Sequence, residues 1–299
     1  MELFSADAKW YDLLLPFLFA GTLILTWLNG RKASILISIV NRWLRWFTFS
    51  LFAAYISFYA EWFEKPFWVL FSIFFLLWFL CETIFHWVSI GALSKSTYPL
   101  FPNFVENPKG EEWPAQKRFL SIRRWLKDNK FNSVCTLKAE LIPQIQLRMH
   151  VFQSEDEKIR IQLLFIPQRS GAVSLCFTIL SQTVDGSRFV TDNMYLPFGG
   201  FYPENWYLDR RPLNRSLPRM YRNHLRRIEN TKEVFVPWEE NPVEDANDQK
   251  TILERVNTEM GFLNPIAIRD EYGKISWEGR YRVWKEIWML NYFGKAFSY

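Results

Sequence analysis

Two long apolar runs near the start of the chain limit what it can fold into. The run from Tyr11 to Leu28 and the longer run from Phe67 to Leu93 approach or exceed the roughly 20 residues that a helix needs to cross about 30 Å of hydrocarbon. Between them, Trp46 to Ala60 is also largely apolar and would suit a short third crossing. The sequence therefore predicts an integral membrane protein with three transmembrane helices, or with two if the short segment does not cross.

The segment from Ser34 to Arg45, which precedes the short apolar segment, has a mixed pattern. Polar residues recur in it at helical spacing and apolar residues fill the other side; the polar ones are Ser34, Ser38, Asn41, Arg42 and Arg45. This pattern predicts an amphipathic helix that lies in the membrane interface with a basic face toward the headgroups. The alternative is one long helix from Ser34 to Ala60, with its arginine side chains extended toward the headgroups.

The charges of the two connections predict the orientation in a cytoplasmic (inner) membrane. Arg31, Lys32, Arg42 and Arg45 precede the short apolar segment, whereas Glu61, Glu64 and Lys65 follow it. The positive-inside rule then places the first connection in the cytoplasm. With three crossings, the chain after Leu93 is also cytoplasmic; with two, it lies on the side of the N-terminus.

The cysteines agree with a reducing compartment. Cys81, Cys135 and Cys176 are far apart, form no CxxC pair and leave one thiol over. Such usage favours a cytoplasmic location for the domain that carries two of them.

The composition changes after residue 94, which divides the chain into an anchor (1–94), a linker (95–113) and a soluble domain (114–299). The anchor holds six basic and six acidic residues, so the net charge of +5 belongs to the rest of the chain. Pro102, Pro108 and Gly110, together with a lack of periodicity, mark the linker.

Short runs with two-residue alternation predict an antiparallel β-meander of about five strands. The runs cover residues 134–141, 147–151, 159–165, 173–179 and 188–196, with a hairpin signal at Asp185-Gly186. Helical patterns cover residues 114–128, the segment after Ser216 with Pro218 in its first turn, 248–262, and 277–293 as far as Gly294. The sequence therefore predicts a membrane-anchored α+β protein whose helices cover the sheet.

Glu82 and His86 are the ionisable pair inside the second long apolar run. Their spacing of four residues puts them on one face of a helix. Ionisable residues within the hydrocarbon are costly, so the pair is a candidate for proton handling or for a hydrogen bond between helices. The alternative is a place at the level of the headgroups, where the cost is small.

Four arginines form a second candidate site, for an anion or another partner. Arg215, Arg219, Arg222 and Arg226 follow helical spacing within residues 209–232, which hold eight basic and two acidic residues. Residues 233–259 invert this ratio, with eight acidic and two basic residues. The arginines are expected to pair with that acidic segment, to bind anionic lipid headgroups, or to bind another acidic partner. A nucleic acid is the partner that the sequence favours least.

Catalytic and metal-binding motifs are not evident in the sequence. It has no phosphate-binding loop, no GxGxxG after a strand, no GxSxG and no HExxH. His150 is interpreted as a solvated residue of the sheet face, and no role is expected for His224. The acidic residues Glu239, Glu240, Glu244, Asp245 and Asp248 are interpreted as a solvated loop. No cofactor and no metal are predicted.

The leading functional hypothesis is a non-catalytic, membrane-tethered cytoplasmic module that senses or organises a partner within a membrane-associated assembly. Its expected partners are anionic headgroups and a protein, either another copy of the chain or a different one. One alternative is a membrane-associated enzyme that acts on a phosphate-bearing or lipid-derived substrate. Another is a subunit of an oligomeric transporter or channel that uses Glu82 and His86.

Overall fold

The computed structural model describes residues 10–108, 113–114, 116–142, 145–167 and 173–297. Three long helices come first, and a mixed sheet with helices on both faces follows. The helices are α1 (Trp10–Lys32), α2 (Ile35–Tyr59), α3 (Phe67–Lys95), α4 (Lys117–Asp128), α5 (Leu217–Glu229), α6 (Pro242–Glu259), α7 (Arg269–Tyr272) and α8 (Trp277–Trp288). A 3₁₀ turn at Ile266–Ile268 precedes α7, and a π turn at Met289–Phe293 continues α8. The strands are β1 (Val105–Glu106), β2 (Asn132–Ile142), β3 (Ile145–Gln153), β4 (Arg160–Pro167), β5 (Val173–Thr183), β6 (Arg188–Asp192), β7 (Trp206–Arg210) and β8 (Phe235–Val236).

The three long helices form an antiparallel bundle in which α2 packs against both α1 and α3. The small residues Ser50, Ala54 and Ser57 of α2 are fully buried in this bundle and allow close approach of the helix backbones. Asn41 of α2 donates to the Thr26 hydroxyl of α1 at 3.0 Å, and the Trp46 indole donates to the Phe75 carbonyl of α3 at 2.9 Å. Polar contacts therefore fix α2 to both neighbours.

Two of the three helices are long and apolar enough to cross a membrane. They are Leu13–Lys32 and Phe67–Lys95, with mean hydropathies of 1.7 and 2.1. In the most apolar 18-residue stretch of each helix, only 6% of the residues are buried inside the protein, whereas the core helix of a water-soluble domain is mostly buried. Both helices therefore expose apolar side chains to their surroundings.

The prediction of a separate interfacial helix over Ser34–Arg45 is wrong. The segment runs without a break into the apolar half of α2, from Ile35 to Tyr59, as in the alternative of one long helix. Two side chains of this segment contact other parts of the protein: Asn41 bonds to α1, and the Trp43 indole donates to the Tyr292 carbonyl at 2.9 Å.

The predicted antiparallel meander is present as β2 to β6. At one end β1 pairs with β2, and at the other β7 pairs parallel to β6, so the sheet is mixed. β8 pairs with the last residues of β5. Because β1 lies within residues 95–113, the segment predicted as a linker contributes to the sheet.

The two faces of the sheet carry separate apolar cores. On one face, α4 and α5 cover a core that includes Phe119, Leu126, Phe177 and Met220. On the other face, α6 and the segment that leads to β1 cover a core that includes Leu137, Met149 and Leu164. The predicted cap of α5 is confirmed, since the Ser216 hydroxyl accepts from the Arg219 amide.

The prediction that His150 is a solvated residue of the sheet face is wrong. Its side chain is 2% exposed and packs against the rings of Trp113 and Phe165, with centroids 5.5 and 5.4 Å away. Trp113 comes from a distant part of the chain, so the alternation of β3 alone does not reveal this cover.

The prediction of a solvated acidic loop over residues 239–248 is also wrong. Helix α6 begins at Pro242, and the Asn241 side chain caps it by accepting from the Val243 amide. Asp245 is fully buried and pairs with Arg160 at 2.9 Å and with Arg188 at 2.7 Å. The Asp245 carboxylate thus pairs with two arginines of the sheet.

His224 joins α5 to the sheet and predicts a dependence of stability on pH. Its ring lies 3.1 Å from the Ser181 hydroxyl and 3.0 Å from the Thr191 hydroxyl, and burial lowers its pKa to about 3. In the unfolded chain the pKa is about 6.5, so between these values only the unfolded state binds the proton. The stability present above pH 6.5 is therefore lost by up to about 1.4 kcal/mol per pH unit as the pH falls toward 3.

The measurement is the midpoint of thermal unfolding from pH 7 to pH 4 for the protein and for His224→Gln. The variant keeps a hydrogen-bonding side chain that does not titrate, so we expect a shallower slope below pH 6.5. Equal slopes for the two proteins would contradict the assignment of this pH dependence to His224.

Candidate functional site

The sheet domain is fixed to the same end of all three long helices. At the end of α1, the Arg215 guanidinium donates to the Lys32 carbonyl at 3.2 Å. In the first half of α2, Trp43 bonds to Tyr292. At the end of α3, Lys274 donates its amide to the Ser94 carbonyl at 2.8 Å. The bundle and the domain therefore meet along one junction.

A cleft opens at this junction, and we call it the junction cleft. Its main part has a volume of about 220 Å³ and lies between the connection from α1 to α2, α4, β5 and the segments before and after β7. A neighbouring hollow of about 380 Å³ shares Arg118 and Arg215 with it and adds Arg31 and Lys32. At roughly 30 Å³ per water, the main part holds several waters or one polyatomic anion.

The described lining of the junction cleft is basic. Arg118 from α4 and Arg215 from the segment before α5 meet there, with the Arg118 guanidinium 3.3 Å from the Arg215 carbonyl. Among its described lining residues there is no Asp or Glu. Burial, and then the neighbouring Arg215 charge, lowers the pKa of Arg118 to about 10, and burial also lowers the pKa of Arg215. Two partly desolvated cations with no carboxylate partner among the described residues favour a bound anion.

The groups available for chemistry in the junction cleft are few. Its described lining contains no carboxylate and no imidazole. Burial raises the pKa of the Cys176 thiol to about 11, so this thiol is almost wholly protonated at neutral pH and is a poor nucleophile. In the part of the chain that the structure describes, no group of three or more His, Cys, Asp or Glu residues is placed to hold a metal ion. The described residues of the junction cleft therefore favour the binding of an anion.

The four predicted arginines do not form one stripe. Arg215 precedes α5 and turns into the junction cleft, whereas Arg219, Arg222 and Arg226 are exposed on α5. No acidic residue in the described ranges lies within ion-pairing distance of any of them. The interpretation that they pair with the acidic segment is therefore wrong.

That acidic segment pairs with other residues. Asp245 pairs with Arg160 and Arg188, and Glu254 of α6 pairs with Arg269 at 2.6 Å. Part of its charge is therefore paired within the domain, away from α5.

Glu82 and His86 face the end of α8 and its π turn. The Tyr292 hydroxyl donates to the Glu82 carboxylate. The His86 ring packs edge-on against Trp288 with centroids 5.7 Å apart, and Trp288 and Tyr292 also contact Trp46. The pair therefore belongs to the contact between the bundle and the domain.

Sequence reasoning missed Arg118, Arg31 and Lys32 as members of one site. The local signal for Arg118 is its place on the apolar side of α4, four and seven residues before Ile122 and Trp125. No local signal shows that it meets Arg215, because the two are 97 residues apart.

No protein-family model, curated protein or solved structure matches this chain. Its function is therefore inferred from the geometry and charge of the junction cleft.

Proposed function

We propose that the protein is a non-catalytic, membrane-tethered module whose α+β domain lies at the cytoplasmic leaflet and binds anionic lipid headgroups in the junction cleft. One observation carries this proposal. Arg31, Lys32, Arg118 and Arg215 come from three separate parts of the chain and surround a cleft whose described lining has no acidic residue. The cleft lies at the ends of the apolar helices, which is the level of the headgroups if those helices cross the membrane.

The lengths and exposure of the helices support membrane anchoring. At 1.5 Å per residue, the 23 residues of α1 span about 35 Å and the 29 residues of α3 about 43 Å, both more than the roughly 30 Å of hydrocarbon. Because α2 packs against both, it crosses with them if they cross. Three crossings put the N-terminus and the sheet domain on opposite sides.

The distribution of charge supports a cytoplasmic domain. Arg31 and Lys32 lie at the domain end of the bundle, whereas Glu61 and Glu64 lie at the far end, in the connection from α2 to α3. The positive-inside rule assigns the basic end to the cytoplasm. The Arg31 guanidinium also lies 3.9 Å from the Trp27 ring centroid, a pairing that suits the interface between hydrocarbon and water.

The expected strength of binding follows from the number of cations. Each basic side chain near an anionic leaflet contributes roughly 1 kcal/mol. Arg118 and Arg215 together therefore account for about 2 kcal/mol, or roughly thirtyfold in affinity. Their partial burial reduces screening by salt. Their contribution to the binding free energy should therefore persist at ionic strengths that weaken exposed contacts.

The proposal predicts a preference for anionic lipid that depends on the two arginines. The protein is reconstituted in nanodiscs that contain phosphatidylcholine and phosphatidylglycerol, and the lipids it retains are identified by native mass spectrometry. We expect enrichment of phosphatidylglycerol, and its loss by roughly thirtyfold in Arg118→Gln/Arg215→Gln.

The matched control is Arg222→Gln/Arg226→Gln, which removes the same charge from the exposed face of α5. This control should keep most of the enrichment. Equal enrichment in the junction variant and in the unchanged protein would refute headgroup binding in the cleft. Turnover of a defined substrate by the purified protein would refute the non-catalytic part.

The exposed arginines of α5 are the surface proposed for a further partner. Arg219, Arg222 and Arg226 have no acidic neighbour within ion-pairing distance in the described ranges, so they are available to an acidic protein or to a second copy of the chain. An enzyme would need a carboxylate or imidazole beside the junction arginines, and a transporter would need Glu82 and His86 to face a pathway. Neither alternative is favoured by an observation.

A further inference from the structure

A second cavity lies on the other side of the sheet from α4 and α5. It occupies about 390 Å³ between the sheet, α6 and the segment from Leu100 to Phe104, which is within the usual size of a small-molecule site. Most of its lining is apolar, including Met149, Leu164, Ala246 and Leu253. It is therefore suited to a ligand with a substantial apolar part.

Three polar side chains converge in this cavity at one level. Gln162 and Thr178 are direct partners across β4 and β5, two residues along each strand from the pair of Arg160 and Leu180. Gln249 lies one helical turn beyond Asp245, the ion-pair partner of Arg160. Along the strands, Gln162 and Thr178 are two residues, or about 7 Å, from the pair of Arg160 and Leu180. Along α6, Gln249 is four residues, or about 6 Å, from Asp245. The three side chains therefore lie at about the same distance from the ion pair of Arg160 and Asp245.

One of these polar groups has a buried atom with no hydrogen-bond partner within the described protein. The Nε2 atom of Gln249 is buried and unpaired in the described part of the chain. Buried amides are normally hydrogen-bonded, so this amide is available to a hydrogen-bonding group that enters the cavity. Together with Gln162 and Thr178, it offers both donors and acceptors.

The charge of the lining points to an uncharged ligand. Among the described lining residues, Arg210 is the charged one. Its guanidinium is already paired with the Asp192 carboxylate at 2.9 and 3.1 Å and bonds to the Tyr202 hydroxyl at 2.8 Å. A ligand carboxylate or phosphate would therefore find no free cation there.

The cavity adjoins the junction cleft. Ile166 and Leu196 line both, so the two spaces are adjacent at these residues. From Gln162 to Ile166 the cavity follows four residues of β4, or about 13 Å, which is close to half of the roughly 30 Å hydrocarbon thickness. One hydrocarbon chain from a membrane leaflet has this length.

We propose that this cavity binds a single-chain lipid with an uncharged, hydrogen-bonding head, such as a monoacylglycerol. The head bonds to Gln162, Thr178 and Gln249, and the chain runs past Leu164 and Ile166 toward the junction. Lipid binding in this cavity does not depend on headgroup binding by Arg118 and Arg215. Either proposal can therefore fail while the other holds.

The test uses the full-length protein in phosphatidylcholine nanodiscs that contain a monoacylglycerol with a diazirine in its acyl chain. After irradiation, cross-linked peptides are mapped by mass spectrometry. We expect cross-links to β4 and α6, in the peptides that contain Leu164, Ala246 or Leu253. Cross-links confined to α1, α2 and α3 would show that the probe stays in the bilayer and would overturn the proposal.

Two variants connect the cross-links to the cavity. Ala246→Phe fills the cavity and should reduce the β4 and α6 cross-links at least tenfold, whereas Thr251→Phe, on the exposed side of the same helix, should not. Gln249→Leu keeps the size of the side chain and removes one hydrogen-bonding group, so it should weaken labelling roughly three- to tenfold. Unchanged labelling in both Ala246→Phe and Gln249→Leu, with unfolding midpoints that show folded protein, would overturn the proposal.

Discussion

Asp245→Asn should lower the midpoint of thermal unfolding by about 6–20 °C. Asp245 is fully buried and pairs with two arginines, of which Arg160 is itself only 1% exposed. Removal of one partner from a buried ion pair costs roughly 3–5 kcal/mol, because the remaining charge has lost its compensation. For a domain of this size, each kcal/mol shifts the midpoint by about 2–4 °C. The midpoint is read from tryptophan fluorescence of the protein in nanodiscs.

Two further variants separate this mechanism from a general loss of acidic charge. Glu254→Gln breaks the more exposed pair with Arg269 and should cost no more than about 1 kcal/mol. Asp245→Asn combined with Arg160→Met removes one of the buried charges and should recover part of the lost stability. A midpoint for Asp245→Asn within a degree or two of the unchanged protein would contradict the buried network.

Gly273→Ala should weaken the attachment of the sheet domain to the end of α3 and lower the unfolding midpoint. Gly273 has φ 87° and ψ 173°, a region that essentially only glycine occupies, so a side chain there costs roughly 1–3 kcal/mol. An added Cβ would also lie 2.5 Å from the Ser94 hydroxyl, and such overpacking costs about 1–3 kcal/mol more. The midpoint should fall by several degrees, and proteolysis between α3 and β1 should accelerate.

Gly261→Ala is the matched control for this prediction. Gly261 also has a positive φ, of 75°, but a Cβ there would meet no atom within 4 Å. Gly261→Ala should therefore incur only the free-energy cost of placing alanine at a positive φ. The rate of proteolysis between α3 and β1 should stay near that of the unchanged protein. Equal effects of the two substitutions would show that contact with Ser94 does not hold α3 to the domain.

The meander was predictable because its strands pair with neighbours in sequence and bury alternate residues on both faces. The parallel pairing of β7 was not, since it depends on a return of the chain after the loop that follows β6. The start of α6 had local signals in Asn241 and Pro242, but the density of acidic residues suggested a solvated loop instead. The burial of His150 and Asp245 depends on partners far away in sequence, namely Trp113 and Arg160.

The site was predictable only in part for the same physical reason. Helical spacing grouped Arg215 with the arginines of α5, yet the helix begins at Leu217 and the Arg215 side chain turns toward α1. The junction cleft forms where α1, α4 and the segment before α5 meet, and periodicity within one segment cannot reveal such a meeting. Glu82 was identified as a polar residue in an apolar helix, but its partner Tyr292 lies 210 residues later.

The most direct test of the account is the accessibility of single engineered thiols on either side of the membrane. Lys32, Glu64 and Glu259 are exposed and lie, respectively, at the end of α1, between α2 and α3, and at the end of α6. Each is replaced by cysteine in a background without Cys81, Cys135 and Cys176, and labelled with an impermeant reagent in intact cells and in inverted vesicles.

We expect the cysteine at position 64 to react in intact cells, and those at positions 32 and 259 to react only in inverted vesicles. That result would support three crossings and a cytoplasmic domain whose junction cleft faces the inner leaflet. Labelling of positions 32 and 64 from the same side would mean that α2 does not cross. Labelling of position 259 in intact cells would place the domain outside and contradict the proposed function.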